Sequence, residues 1–207
     1  MKYLAHRGFW KTREEQNSLA SFERALRAGY GIETDVRDAV GRLVIAHDLP
    51  GGDEPGFEQL FALYDQIDPA LPLAINIKAD GLASALQQMA DAHQASSYFL
   101  FDMSVPDQRC LAQTSMPVFT RQSEYEMTPA LYESAAGVWL DMFESDWATC
   151  ELITQHLDRG KQVAIVSPEL HGRDYNPFWS RIREIAHFDG VMLCTDLPDQ
   201  AENYFDK

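Results

Sequence analysis

Apolar residues gather in eight short runs, each separated from the next by polar, turn-rich or helical stretches. The runs are Tyr3–His6, Ile32–Val36, Leu73–Ile77, Tyr98–Asp102, Val118–Arg121, Gly137–Asp141, Gln162–Ser167 and Gly190–Thr195. Most are rich in β-branched or aromatic side chains, so they predict buried strands. Helical spacing fills the gaps. Ser18 is placed to cap a helix whose inner face is Leu19, Phe22 and Leu26 and whose end is Gly29. Leu82, Leu86 and Met89 mark a second helix within Gly81–His93. Cys150, Ile153 and Leu157 mark a third within Trp147–Arg159, and Ile182 and Ile185 a fourth within Phe178–His187. Strand and helix alternating eight times predicts a parallel sheet closed into a (β/α)8 barrel, one domain over residues 1–207. One hairpin interrupts the alternation. Asp38–Arg42 contains Gly41 and reads as a turn, and Leu43–Asp48 returns antiparallel beside the second strand. Leu49–Gly56 is the one long loop and a candidate lid.

Composition narrows the picture. At 207 residues and 45% hydrophobic the chain suits a single packed domain. No apolar run nears the roughly 18 residues of a membrane span. The first strand starts so early that no apolar leader precedes it, which points to the cytoplasm. Cys110, Cys150 and Cys194 are scattered and read as reduced core thiols. The formal charge of −15 repels nucleic acid and acidic membranes. A phosphate ester would be repelled too, unless the pocket gathers cations of its own. Nothing in the pattern bears on oligomeric state.

Barrel enzymes carry their chemistry at the C-terminal ends of the strands. Here nearly every such end is polar: His6-Arg7, Glu33 and Asp35, Asn76 and Lys78, Asp102, Arg121, Asp141, Ser167 with Glu169 and His171, and Thr195-Asp196. Asp141, Ser167 and Asp196 have the residue types of helix N-caps. Glu33 and Asp35 do not fit that role. Two apart on a strand, they face the same way roughly 6 to 7 Å apart, close enough to share one metal ion. Buried acids cost several kcal/mol unless paired or metal-bound. His6 and His47 flank them in sequence and have the chemistry of an acid and a base.

These residues carry a resemblance. His6-Arg7-Gly8, Asn17-Ser18, Phe22, Ala25, Gly29, Glu33-x-Asp35-Val36, Gly41, Val44 and His47-Asp48 resemble the glycerophosphodiester phosphodiesterases, within the phospholipase C-like phosphodiesterase superfamily. Leu73–Lys78, Phe101-Asp102 and the stretch from Asp189-Gly190 to Pro198 are similar to later blocks of that family, so the likeness runs end to end. It implies a (β/α)8 barrel that hydrolyses a small phosphodiester. It implies His6 and His47 as the catalytic pair and Arg7 and Lys78 as phosphate contacts. Glu33 and Asp35, with Asn76 at a third position that is usually acidic, would be ligands of a divalent cation, Mg²⁺ or Ca²⁺. The amide at Asn76 removes one negative charge from that set, and Asp102 and Glu169 are the other candidates for it. The family's Pro-Glu before Asn17 is replaced by Glu15-Gln16. The polar stretches Arg121–Glu126 and Pro168–Arg173 read as specificity loops, with Arg121 and Glu169 as substrate contacts. Two alternatives stand beside hydrolysis: a ligand-binding barrel with little or no activity, and a phospholipase-like transferase that stops at a cyclic phosphate.

Overall fold

The computed structural model describes residues 1–94 and 96–206. Its strands are β1 (Lys2–His6), β2 (Gly31–Ala39), β3 (Arg42–Ile45), β4 (Leu73–Ile77), β5 (Tyr98–Phe101), β6 (Phe119–Gln122), β7 (Gly137–Leu140), β8 (Gln162–Val166) and β9 (Val191–Thr195). Eight of them, all but β3, run in the order β5-β4-β2-β1-β9-β8-β7-β6. The ends of that path meet where Leu100 bridges Val118, through a 2.9 Å bond from Leu100 N–H to the Pro117 carbonyl. The sheet is therefore the barrel that the alternation predicts. β3 pairs antiparallel with β2 and forms the expected hairpin, with its turn at Val40-Gly41.

The helices are α1 (Leu19–Arg27), α2 (Glu58–Ile67), α3 (Ala83–Ala92), α4 (Val105–Leu111), α5 (Cys150–Asp158), α6 (Asn176–Ile182) and α7 (Pro198–Phe205). Ser18 caps α1, accepting from the Ser21 N–H at 3.2 Å. α5 starts later than Trp147 because Thr149 takes the cap position and accepts from Leu152 N–H. α6 ends at Ile182 and continues only as a 3-10 turn over Arg183–Ile185. Among the described residues, no helix is long and apolar enough to cross a membrane.

The core has two layers. The outer one lies between sheet and helices and includes Phe22, Ile32, Phe61, Val138 and Trp179. The inner one fills the barrel with Leu4, Ala74, Phe99, Phe101, Phe119, Trp139, Ala164, Val166, Met192 and Cys194. Phe99 stacks on Phe119 and Phe101 on Trp139, each pair with centroids 3.7 Å apart. Side chains two apart share a face of a strand. Leu4 thus sets the direction of His6, Ala74 that of Asn76, Phe119 that of Arg121, Trp139 that of Asp141 and Cys194 that of Asp196. Each pair is apolar deep in the barrel and polar at the C-terminal mouth. That alternation is what aims chemistry at one opening.

Candidate active site

Strand register brings the acids together. β1 pairs with β2 so that His6 lies beside Glu33, and β2 pairs with β4 so that Asp35 lies beside Asn76. Glu33 and Asp35 are 3% and 1% exposed, as deep as core leucines. His6 Nε2 lies 3.9 Å from Glu33 Oε2, and His6 Nδ1 is bonded to Asp196 Oδ1 at 2.7 Å. A carboxylate accepts only, so Nδ1 carries a proton and Nε2 faces the acids. Burial lowers the His6 pKa, but the bond to Asp196 and the charges of Glu33 and Asp196 outweigh it, and the net shift is upward.

Asp35 is ringed by donors. Its Oδ2 accepts from Asn17 Nδ2 at 2.9 Å and lies 3.4 Å from Arg7 Nε, while its Oδ1 lies 3.4 Å from Lys78 Nζ. The Arg7 contact is one of charge without hydrogen-bond alignment, and Arg7 Nε is a buried donor with no bond. Arg7 reaches this place through a left-handed turn, φ 56°, followed by Gly8 at φ 88°. A Cβ on Gly8 would sit 2.3 Å from Ser21 Oγ, so only glycine lets this turn pack on α1.

Glu33 has few such partners. Burial, and then the Asp35 charge, push its pKa up to about 7, although His6, Arg7 and Lys78 pull the other way. Its Oε2 and the Asn76 Oδ1 are buried oxygens without a hydrogen bond. Unsatisfied buried oxygens of this kind cost about 1 to 3 kcal/mol each, more for a charged group. Hard oxygen donors, two of them carboxylates and one an amide, suit Mg²⁺ or Ca²⁺. Glu33, Asp35 and Asn76 therefore fit a divalent cation. Among the described residues, no three His, Cys, Asp or Glu side chains gather as a metal site.

His47 sits differently. It follows β3 directly after Ala46, whose N–H bonds the Asp35 carbonyl at 3.2 Å. Its side chain is 42% exposed at the rim, and Nδ1 bonds Asp48 Oδ1 at 2.9 Å. Arg7 lies near enough to Asp48 to lower that carboxyl's pKa, though the His47 bond does so more. The two histidines thus differ: His6 is half-buried against Glu33, and His47 is open to solvent beside Asp48.

The opposite side of the mouth holds Arg121 between Asp102 and Glu126. His171 Nε2 bonds Asp141 Oδ1 at 2.7 Å. Glu169 is occupied: one oxygen accepts from Ser167, the other from the Thr195 hydroxyl at 2.5 Å and the Asp196 N–H at 3.3 Å. It thereby braces the turn that carries Asp196. Asp102 is thus paired with Arg121 and Glu169 with the Ser167 and Thr195 hydroxyls, while strand register sets Asn76 beside Asp35. Asp196, Asp141 and Ser167 are not helix caps: Leu197 holds the cap position of α7, Thr149 that of α5, and Ser167 makes no side-chain cap bond to the 3-10 turn that follows it. Asp196 orients His6, Asp141 holds His171, and Ser167 joins Trp179 to Glu169. For Asp196 the available signal was its phase with Cys194, two residues earlier on β9.

In fold the chain is similar to phosphodiesterase structures. A candidate glycerophosphodiester phosphodiesterase from Galdieria sulphuraria matches with a TM-score of 0.79 at 19% identity, over 100% of this chain and 98% of that one. The glycerophosphodiester phosphodiesterase from Agrobacterium tumefaciens matches at 0.72 and 17% identity, over all of both chains. A calcium-dependent phosphatidylinositol-specific phospholipase C from Streptomyces antibioticus matches at 0.59 and 13%, over 97% of this chain and 95% of that one. No model of a protein family matches the chain, and no curated protein matches it. The shared feature is the barrel itself, present from end to end.

Proposed function

We propose that this protein is a cytoplasmic member of the glycerophosphodiester phosphodiesterase family, which hydrolyses a small glycerophosphodiester or phosphosugar diester with the help of Mg²⁺ or Ca²⁺. One observation carries the reading. Two buried oxygens without hydrogen bonds, Glu33 Oε2 and Asn76 Oδ1, lie on strands next to Asp35, with His6, Arg7 and Lys78 around them. The enzyme fold of the phosphodiesterase structures supports it.

Glu33, Asp35 and Asn76 hold the cation, which when bound supplies Lewis-acid polarisation of the phosphoryl oxygens. Arg7 and Lys78 stabilise the negative charge that grows on phosphorus oxygens in the transition state. His6, bonded through Nδ1 to Asp196 and with Nε2 turned toward Glu33, is placed to deliver a proton to the departing alkoxide. His47, open to solvent, takes the proton of the attacking water or substrate hydroxyl. Arg121 lies across the mouth as a contact for the alcohol portion, and Glu169 acts there through the turn it braces.

Chelator-treated protein should leave glycerophosphodiesters intact and cleave them once Mg²⁺ or Ca²⁺ is restored, as followed by phosphorus NMR. A monoester product means hydrolysis; a cyclic product means transfer. No turnover across glycerophosphocholine, glycerophosphoethanolamine and bis-p-nitrophenyl phosphate with either ion would end the proposal. Asn76→Glu probes the third donor. It should tighten cation binding and lower the melting temperature of the cation-free protein, because a third buried acid joins Glu33 and Asp35. The cation should then raise that temperature more than in the wild type. Unchanged affinity, by calorimetric titration, would remove Asn76 from the set.

A further inference from the structure

Asp35 has three neighbours that compete for its oxygens, and one of them is neutral. Asn17 Nδ2 donates to Oδ2 at 2.9 Å. A carboxylate has nothing to donate, so the atom that Asn17 presents to it is the amide nitrogen. The amide oxygen of Asn17 then accepts from the Thr34 hydroxyl at 2.9 Å. Thr34 is fully buried and points to the opposite face of β2 from Glu33 and Asp35. The backbone N–H of Asn17 bonds the Arg7 carbonyl at 2.9 Å, and the residue sits at φ 57°. Asparagine tolerates that left-handed region better than most residues. One side chain therefore ties the loop that carries Arg7 to the strand that carries Asp35.

The arrangement matters because Arg7 is so near. A guanidinium is a fork that pairs with both oxygens of a carboxylate at once. Arg7 Nε is only 3.4 Å from Oδ2 and lacks a hydrogen bond of its own. We propose that Asn17, braced by Thr34, is a positioning residue for the cation site. It fixes the Asp35 carboxylate so that Oδ1, which faces Lys78 Nζ at 3.4 Å, remains aimed at the ion and does not turn into a two-bond pair with Arg7. This rests on the reading of Glu33, Asp35 and Asn76 as cation donors.

Two variants reach the clamp from opposite ends. Asn17→Gly removes the side chain and adds no strain at positive φ. Thr34→Val removes the hydroxyl and keeps the buried shape. Each cation-free protein is titrated with Mg²⁺ and with Ca²⁺ by calorimetry, next to a melting curve. Asn17→Gly should weaken cation binding about tenfold or more, within the range of partners that stand behind metal ligands. Thr34→Val should weaken it in the same direction and by less. A merely structural role would lower the melting temperature and leave affinity alone. Wild-type affinity in Asn17→Gly overturns the inference and leaves the cation reading intact. A wild type that binds neither ion overturns both. Should Asn17→Gly fail to fold, Thr34→Val decides: unchanged affinity there overturns the inference.

Discussion

Glu33→Gln is expected to abolish cation-dependent turnover and, in the same protein, to raise the stability of the cation-free fold. The two effects have one cause. Burial and Asp35 hold the Glu33 carboxyl up at about 7, against 4.5 as its ordinary value. A shift of that size costs on the order of 3 kcal/mol when the group is ionised in the fold. The folded chain therefore binds this proton more tightly than the unfolded chain does. From this group, stability falls as pH rises from about 4.5 to about 7 and stays low above that. Glutamine has no such proton, so this part of the slope should vanish in the variant. A divalent cation replaces the proton, and its stabilisation of the wild type should be large at pH 8 and small at pH 5. Thermal melts of both proteins across pH, with and without Mg²⁺ or Ca²⁺, measure all of this. Parallel pH profiles for the two would mean that Glu33 ionises as a surface acid does.

His6→Ala should slow cleavage of a diester with an alkyl leaving group by about 10² to 10⁴, the usual weight of one acid or base step. Its effect should be much smaller on bis-p-nitrophenyl phosphate, because p-nitrophenolate departs without a proton. His47→Ala should slow both substrates, since the attacking hydroxyl needs its base in either case. The difference follows from the surroundings: Asp196 and Glu33 shift the His6 pKa up against burial, and the His47 side chain is bonded to Asp48 and exposed at the rim. Equal losses on the two substrates for His6→Ala would remove its role as the acid, and a wild-type rate for either variant would remove the histidine pair. Each variant should retain the wild-type circular dichroism spectrum, because neither side chain belongs to the packed core.

Much of the barrel was legible along the chain. Strands such as Leu73–Ile77 announce themselves, since four apolar residues out of five between turn signals leave few alternatives. The hairpin was legible from Gly41. Boundaries moved where a cap decided them, as Thr149 did for α5 and Asp102 did at the end of β5, where its φ of 68° turns the chain out of the strand. Short α4 and α7 each begin with a proline in the first turn and have too few residues to show a clear period.

The site divides in the same way. Glu33 and Asp35 stand out in sequence because strand periodicity puts two acids on one buried face, and no core tolerates that without a reason. Their neighbours are a matter of register and of loop conformation. Only strand pairing sets His6 against Glu33 and Asn76 against Asp35. Asp196 joins His6 from 190 positions away, and Asn17 reaches Asp35 only because its backbone turns left-handed. Local periodicity thus determined which residues face inward and, with it, the barrel. The tertiary structure alone decided which inward residues meet, because partners on different strands are chosen by hydrogen-bond register and packing across the sheet, which no local pattern encodes.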